Sequence, residues 1–419
     1  MIVDFSVQNY KSIRDMQTLA MNAANLVSKD KELDKLNLIP VSPKLSLLKT
    51  KAIYGANASG KSTMIEALST FVKIVVYSVK DENILGNLIR PFILSNETIL
   101  GPTYFQLSFI LNDTYYRYGF EADNKEIRTE WLFGTPGKKE VPFFTREGSE
   151  IYVNEHQFQE GIKVIDLYKQ SENDIGRKNS LFLAAVRSFN QGLAREIINY
   201  FSRYIIISGL YDLRLHQMAE RSLGNEFMRK RIAEMLKLAD VGIDDIWREE
   251  ANVEKGLEES TEKKYYTFTR HIMRDKEGKP AGTRDFFMFT NESEGTKKMF
   301  EIAPAILESL DGGRVLLLDE FDARFHPLIS RKIVELFNAA SNKNAQLIFA
   351  THDTNLLNSK LLRRDQICFV EKDQQGASHF YSLADFKGVR NDASFEKDYI
   401  AGKYGAIPFL GDFKSILED

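Results

Sequence analysis

The sequence is poor in cysteine and has no long apolar run. Its single cysteine, Cys368, excludes a disulfide within one chain, and its apolar neighbours predict a small core residue. No segment is apolar for long enough to span a bilayer, and the first residues lack a signal-peptide pattern. We therefore expect a cytoplasmic protein with no membrane contact.

The sequence also lacks a large excess of charge of either sign. It has 56 basic and 59 acidic residues, which leaves a formal net charge of −3 at pH 7. A general basic field for nucleic acid is thus excluded, and any DNA contact would depend on local patches. The six histidines are scattered, so no metal cluster of the HNH or zinc-deaminase kind is predicted.

The composition is that of an ordinary globular protein, and the chain is long. At 419 residues, of which 43% are hydrophobic and 27% charged, the chain is long enough for about two or three domains. Neither an internal repeat nor an extended heptad pattern is found.

A glycine-rich segment carries the strongest motif of the chain. Residues 55–62 read GANASGKS and match the phosphate-binding loop G-x-x-x-x-G-K-[ST]. The pattern predicts a strand at Lys51–Tyr54 before the loop and a helix in Ser62–Val79 after it. Such a loop aims successive N–H groups at phosphate oxygens, and the helix adds its positive dipole end. The alternative is an ordinary glycine turn. The predicted nucleotide-binding residues of the loop are Gly55, Asn57, Gly60, Lys61, Ser62 and Thr63.

Two side chains of this loop have distinct expected roles. Lys61 is placed to reach the β- and γ-phosphates, and Ser62 is placed to give its hydroxyl to Mg²⁺. The sequence therefore predicts a protein that binds ATP or GTP with Mg²⁺.

Two downstream strands end in polar residues that suit the same site. Val315–Glu320 reads VLLLDE, a buried parallel strand that ends in two acids. Asp319 is placed to hold Mg²⁺, and Glu320 to polarise the attacking water. Gln346–His352 reads QLIFATH, which places His352 to donate to the γ-phosphate. The alternatives are a core strand that ends in acidic loop residues and a structural histidine.

A third polar segment, Asn291–Lys298, precedes a helix predicted at Met299–Leu310. Ser293 and Gly295 just before a helix make an anion-binding terminus. On these residues alone, an N-cap and turn is the favoured interpretation.

The remaining pattern divides the chain into four segments. Alternation in Thr103–Ala122 predicts a β-hairpin, and short strands follow up to Val153. Helices are expected at Leu181–Tyr204 and Gly224–Ala239. Strands return at Tyr265–Met273 and Arg284–Phe289. The predicted segments are an N-terminal lobe at 1–173, a helical insertion at 174–264, a C-terminal lobe at 265–390 and a tail at 391–419.

The order and spacing of these motifs resemble the ABC-type ATPase head of SMC, RecF and OLD proteins. The Q-loop glutamine's place is held by Tyr104, and Gln106 comes two residues later. The matching segments are Ser293–Thr296 for the degenerate signature motif, Val315–Glu320 for the Walker B strand with its catalytic glutamate, Phe321–Pro327 for the D-loop, His352 for the switch histidine, and Asn9–Ile13, with Lys11, for the turn beside the nucleotide.

This resemblance implies the fold and the cofactors. The fold would be α/β, a P-loop NTPase with an ABC-type ATPase head, in which a mixed sheet and an antiparallel β subdomain carry an inserted helical subdomain. The cofactors would be ATP and Mg²⁺. Two heads would meet as a homodimer or higher oligomer, with Ser293 and Gly295 of one protomer facing the γ-phosphate at Lys61 of another. Hydrolysis with Glu320 would release them.

Four C-terminal segments resemble a particular ATPase family found in abortive-infection and anti-phage loci, which includes RloA-like and AriA-like proteins. About thirty residues follow Lys387, too few for the TOPRIM nuclease domain of some relatives. The resemblance thus implies a sensor and scaffold that controls a separate toxin or nuclease effector. The matching segments are Arg363–Ile367, Phe369–Asp373, Tyr381–Lys387 and Tyr399–Pro408.

Two other functions stay open. A RecF- or SMC-style repair ATPase would bind DNA through patches such as Arg229–Arg231 or Lys263–Lys264, although such clusters are usually solvated faces. A metabolic NTPase or kinase would need an acceptor pocket, and the segment at Ser293 argues against it. The helical insertion is the candidate partner surface, or else a lid on its own core.

Overall fold

The structure is a computed structural model. It describes residues 1–28, 30–170, 178–189, 192–207, 213–239, 242–250, 265–389 and 393–408. The Lys263–Lys264 patch and residues 391–392 and 409–419 of the predicted tail lie outside the described residues.

The strands are short and spread along the whole chain. In chain order they are β1 Ile2–Gln8, β2 Gln17–Ala20, β3 Leu38–Ser42, β4 Leu45–Leu48, β5 Thr50–Tyr54, β6 Thr103–Leu111, β7 Thr114–Ala122, β8 Ile127–Thr135, β9 Val141–Glu147, β10 Glu150–Val153, β11 Ile205–Ile207, β12 Ile243–Glu250, β13 Tyr265–Arg274, β14 Pro280–Phe287, β15 Val315–Leu318, β16 Gln346–Ala350, β17 Ile367–Lys372 and β18 Ser378–Ser382.

The helices lie between and after these strands. They are α1 Lys31–Leu36, α2 Lys61–Tyr77, α3 Ile84–Leu88, α4 Gln159–Gln170, α5 Phe182–Ser188, α6 Gly192–Ser202, α7 Leu213–Ser222, α8 Glu226–Leu238, α9 Met288–Asn291, α10 Glu294–Gly312, α11 Pro327–Asn338 and α12 Phe395–Ile400.

The chain forms two compact units. The first comprises Met1–Ser208, Gly313–Phe321 and Val334–Asp419, and the second comprises Gly209–Gly312 and Asp322–Ile333. These units do not follow the four segments predicted from sequence. Helices α5 and α6, which fall in the predicted insertion, contribute buried residues to the core of the first unit.

The first unit contains two large sheets. One has the order β11-β15-β16-β5-β17-β18, in which the first five strands are parallel and β18 is antiparallel. Its central strands are buried apolar runs, as expected for a parallel sheet covered on both faces. Cys368 is buried in β17, which confirms its predicted place in the core.

The second sheet of this unit is antiparallel, with the order β10-β9-β8-β7-β6-β1-β2. The predicted hairpin is confirmed as β6 and β7, which turn at Asn112 and Asp113, both with positive φ. Helix α2 is buried on most of its surface, and its Phe71 ring lies 5.9 Å from Phe5 and 5.7 Å from Phe120 of this sheet. The sheet therefore fixes the helix that follows the glycine-rich loop.

The second unit combines the three-stranded antiparallel sheet β12-β13-β14 with α7, α8, α9 and α10. Helix α8 confirms the prediction at Gly224–Ala239, and the Asn225 side chain caps it by accepting from Met228 N. Helix α10 begins at Glu294, five residues before the predicted start, because the Ser293 hydroxyl accepts from Thr296 N.

One helix prediction was wrong. Leu181–Tyr204 forms α5 and α6 with a break between them, and Gly192 at the start of α6 has a φ of +67°. The Glu160 carboxylate accepts from Leu193 N at 2.6 Å and so satisfies this helix start. The cap comes from a distant segment, which is why the local pattern does not indicate the break.

Candidate nucleotide-binding site

Three predicted segments meet at one edge of the parallel sheet of the first unit. Gly55 follows β5, Asp319 follows β15 and His352 follows β16 after one residue. Leu318 pairs with Phe349, and Ala350 pairs with Ile53, so the three strands end at nearly the same level. Because parallel strands place their carboxyl ends together, the loop, the acid and the histidine share this edge.

The glycine-rich loop has a backbone that requires its two glycines. A Cβ on Gly55 would lie 2.4 Å from the carbonyl oxygen of Val370, in the neighbouring strand. Gly60 has a φ of +116°, and a Cβ there would lie 2.3 Å from Ser378 Oγ. The predicted strand, loop and helix are all observed, as β5, residues 55–60 and α2.

The start of α2 suits an anion. Gly60 is its N-cap, and in the described structure no side chain caps this end, which leaves the helix start to a ligand. Lys61 is 8% exposed, and its Nζ donates to the carbonyl oxygens of Gly55 at 2.9 Å and Ala56 at 3.0 Å. The ammonium thus lies over the loop. Ser62 and Asn57 are exposed, and Thr63 is partly buried.

A buried hydroxyl group in the loop also fits a nucleotide. Ser59 is 4% exposed, and its Oγ has no hydrogen-bond partner among the described residues. An unpaired buried polar atom is costly unless a ligand or water satisfies it. The unpaired Ser59 hydroxyl, the uncapped start of α2 and the close packing of the loop backbone all suit a site that binds a chain of phosphate groups.

The N-terminal turn contacts the loop helix. Ser12 Oγ lies 3.1 Å from Thr63 Oγ1 and 2.8 Å from Ser378 Oγ. Lys11 has a φ of +50°, and its Nζ lies 2.5 Å from both carboxylate oxygens of Glu66 on α2. Lys11 is therefore engaged on the side of α2.

The acids after β15 differ in their exposure. Asp319 is 9% exposed, and its backbone N–H donates to Ile207 O at 2.9 Å. Glu320 is exposed, has a φ of +51°, and its N–H donates to Asp319 Oδ1 at 3.1 Å. The strand end thus offers the buried carboxylate of Asp319 and the exposed carboxylate of Glu320. Ser62 and Asp319 are oxygen donors of the kind that Mg²⁺ accepts beside phosphate oxygens and water.

The histidine after β16 lies on a fixed loop. Thr351 N donates to Ile53 O at 3.1 Å, and Asp353 N donates to Thr351 Oγ1 at 3.0 Å. His352 itself is exposed. The backbone on both sides of this side chain is therefore held to the edge of the sheet.

The signature-like segment belongs to the second unit. Ser293 Oγ lies 2.9 Å from Thr296 Oγ1, and a Cβ on Gly295 would lie 2.9 Å from Arg324 O. The Arg324 guanidinium donates to Glu294 Oε2 at 2.6 Å. Gly295 is thus required by the close packing of the D-loop-like segment. The N-cap interpretation of Ser293 is confirmed by its bond with Thr296 N.

Sequence reasoning missed one residue of the loop's surroundings and left another in doubt. Ser378 contacts the loop from β18, more than 300 positions away, and no local sequence motif predicts this contact. Gln106, two residues past the Q-loop position, accepts from Arg117 and from Trp131 Nε1 at 3.2 Å in the antiparallel sheet. These bonds hold the Gln106 side chain within the antiparallel sheet.

A glycine loop between a central parallel strand and a buried helix, with an acid at the end of a nearby strand, defines a P-loop NTPase. The mixed sheet and the antiparallel β sheet beside it define the ABC-type ATPase head within that class. Residues 52–358 match the family model described as AAA domain, putative AbiEii toxin, Type IV TA system. Because the match covers most of the chain, the protein belongs to this AAA domain family.

Several solved structures are similar to this chain at low sequence identity. The SMC head domain from Thermotoga maritima is 14% identical with a TM-score of 0.43, over 91% of this chain and 98% of that one. An SmcHead bound to the C-winged helix domain of ScpA is 15% identical with a TM-score of 0.40, over 91% of this chain and 97% of that one. A Pyrococcus furiosus Smc head domain with an extended coiled coil, bound to the C-terminal domain of ScpA, is 14% identical with a TM-score of 0.42. The match covers 96% of this chain and 98% of that one. No curated protein sequence matches the chain.

The described residues contain no candidate membrane span and no candidate metal cluster. None of their helices is both long and apolar enough to cross a membrane. Within the same residues, no group of three or more His, Cys, Asp or Glu side chains is arranged to hold a metal ion.

Proposed function

We propose that this chain is a Mg²⁺-dependent ATPase that works as an assembly switch. The observation that carries the proposal is the convergence of Lys61, Asp319 and His352 at the carboxyl ends of adjacent strands. Such an edge is where ligands bind in α/β sheets. The choice of ATP over GTP rests on the family and not on a residue that would read the base.

Each residue has a proposed role in this reaction. Bound Mg²⁺-ATP would supply the γ-phosphoryl group that is transferred, and its Mg²⁺ would neutralise negative charge on the phosphates. The Lys61 ammonium and the N–H groups at the start of α2 hold phosphate oxygens. Ser62 and Asp319 hold the metal, Glu320 orients the attacking water, and His352 donates to the γ-phosphate. The remaining loop residues Gly55, Asn57, Gly60 and Thr63 would surround the phosphates. Lys11 would reach the nucleotide from the N-terminal turn after leaving its ion pair with Glu66.

We further propose that the site is completed by a second copy of the chain. Ser293 and Gly295 start the 19-residue helix α10, and such a helix start offers N–H groups to an anion. In an ABC-type head this segment serves the partner's nucleotide. The γ-phosphate would then control whether two protomers stay together, and hydrolysis would release them.

The proposed biological role is a sensor and scaffold in anti-phage defence. The chain would hold or release a separate toxin or nuclease, in the manner of the RloA-like and AriA-like proteins that its C-terminal segments resemble. The description of its family as a putative AbiEii toxin of a type IV toxin–antitoxin system supports a place in a defence system. The separate effector rests on the resemblance of the C-terminal segments.

DNA binding receives no support from the Arg229–Arg231 patch, which lies in the described residues. Arg229 pairs with Glu226 and Asp245, Lys230 also lies near Glu226, and Arg231 pairs with Asp311. The three positive charges thus face three negative ones, which lowers the local potential available for phosphates.

A mixing experiment tests the composite site. Lys61→Ala and Ser293→Arg are each expected to abolish ATP hydrolysis, because each destroys one half of every site. In an equal mixture of the two, half of the dimers regain one intact site, so activity returns to about a quarter of the wild-type value. A mixture as inactive as its two components would contradict the composite site.

The defence role needs a separate test in cells. Expression together with the reading frames beside the gene is expected to lower phage plaque counts, and Lys61→Ala is expected to restore them. Protection that persists in Lys61→Ala, or that the chain confers without its neighbours, would contradict the sensor role. Sensitivity of a deletion strain to DNA damage alone would favour the repair alternative.

A further inference from the structure

The C-terminal segment packs on the strands that carry the proposed site. The Tyr399 ring of α12 stacks on Phe369 of β17 at 5.3 Å and meets Tyr54 of β5 edge-on at 6.0 Å. Tyr404 stacks on Phe369 from the other end of the segment at 5.6 Å. Tyr54 is the residue directly before the glycine-rich loop, so this aromatic cluster reaches the loop strand.

Hydrogen bonds fix the same segment to the edge of the sheet. Ala406 N donates to Glu371 Oε2 at 3.0 Å, and the Tyr381 hydroxyl donates to the Tyr404 carbonyl oxygen at 2.8 Å. The Tyr399 hydroxyl donates to Ala406 O at 3.0 Å, which closes the segment on itself. The chain that follows α12 is therefore held to the edge of the sheet and to the helix itself.

The loop that carries His352 is bonded to this segment. The Thr354 hydroxyl donates to Glu396 Oε1 at 3.0 Å, and the Tyr54 hydroxyl donates to Asp353 O at 3.1 Å. The Asp353 carboxylate caps the short turn Thr354–Leu356 by accepting from Asn355 N. Both anchors lie within two residues of His352.

We propose that Glu396 is a positioning residue for His352, acting through Thr354. The inference rests on the proposed function, since it gives His352 a task at the γ-phosphate. A side chain on an exposed loop works in catalysis only when its backbone is held near the productive geometry. The Glu396–Thr354 bond supplies that restraint from the C-terminal segment, so this segment is part of the ATPase machinery.

Kinetics of matched variants test the inference. Thr354→Val removes the donor at nearly constant volume, and is expected to lower kcat about tenfold while KM stays within about twofold. Thr354→Ser keeps the hydroxyl and is expected to restore most of kcat. Glu396→Ala is expected to match Thr354→Val, whereas Glu396→Gln keeps an acceptor oxygen and restores most of kcat.

The His352→Ala background separates positioning from general loss of structure. In that background Thr354→Val is expected to lower kcat no further, because the side chain being positioned is gone. Ser394→Ala removes the N-cap of α12 and keeps Glu396, so it measures the effect of loosening the helix. It is expected to lower Tm, and to lower kcat less than Glu396→Ala does.

The outcomes distinguish this inference from the proposed function. Wild-type kcat in Thr354→Val, or an equal loss in the presence and absence of His352, would overturn the positioning role alone. A wild-type protein that does not hydrolyse ATP would overturn both. An unchanged kcat in His352→Ala would overturn the proposed role of the histidine, and with it the positioning role.

Discussion

The Ser378 hydroxyl donates to the carbonyl oxygen of Ser59 at 2.6 Å, so strand β18 holds the glycine-rich loop directly. Ser378 is 1% exposed, and its N–H also donates to Ser12 O at 2.7 Å. The loop, the N-terminal turn and β18 therefore form one packed group. Space for that group exists only because residue 60 has no Cβ.

Gly60→Ala is expected to disrupt the loop. The added Cβ would lie 2.3 Å from Ser378 Oγ, at a φ of +116° that side chains rarely adopt. We expect nucleotide affinity to fall at least about tenfold and unfolding free energy to fall by about 1–3 kcal/mol. Titration with a fluorescent ATP analogue and urea unfolding measure these changes. Gly148→Ala, also at positive φ but with open space around it, is the control and should retain affinity.

Lys61→Ala is expected to abolish ATP binding while the fold persists. The side chain is buried, and its Nζ donates to two carbonyl oxygens of the loop itself. Its loss removes the charge that phosphates require without opening the core. Calorimetric titration with Mg²⁺-ATP checks binding, and circular dichroism checks the fold. Undiminished affinity would show that Lys61 does not face the phosphates.

The local elements at this site were predictable because each rests on a contiguous pattern. GANASGKS, VLLLDE and QLIFATH each contain their own strand and polar end, and the parallel-sheet rule then brings those ends together. Ser378 and Glu160 were not predictable, because each acts on a segment distant in sequence through one side chain.

Glu130→Ala is expected to destabilise the first unit strongly. The carboxylate is fully buried and accepts from Phe182 N at 2.6 Å, Leu183 N at 3.0 Å and the Tyr118 hydroxyl at 2.9 Å. Its removal takes the carboxylate acceptor from these donors and the acid from the buried Arg146, 3.8 Å away. We expect a loss of about 3–5 kcal/mol in unfolding free energy. Glu121→Ala on the neighbouring strand β7, at a partly buried position, should cost less than about 1 kcal/mol.

The stability of the second unit is expected to depend on pH through His216. Ion pairs with Glu220 and Glu301, each at 3.5 Å, raise the pKa of His216 from 6.5 to about 9. The stabilisation is therefore complete below the unfolded pKa of 6.5 and is lost as pH rises through about 9. Because the ring is partly exposed, His216→Gln should cost only about 1–2 kcal/mol near pH 6. Urea unfolding at low and high pH checks this, and a cost that is equal at both would contradict the assignment.

Glu320→Gln is expected to trap an ATP-bound oligomer. The side chain is exposed beside the anchored Asp319, so its loss should leave metal and nucleotide binding intact while hydrolysis stops. If the γ-phosphate holds two protomers together, the variant remains assembled for as long as ATP is bound. Size-exclusion chromatography with light scattering, with and without Mg²⁺-ATP, measures the mass. Ser293→Arg added to Glu320→Gln should return the protein to its apo mass, because the partner's half of the site is then blocked. A Glu320→Gln protein no larger with ATP than without it would show that the face-to-face assembly is wrong.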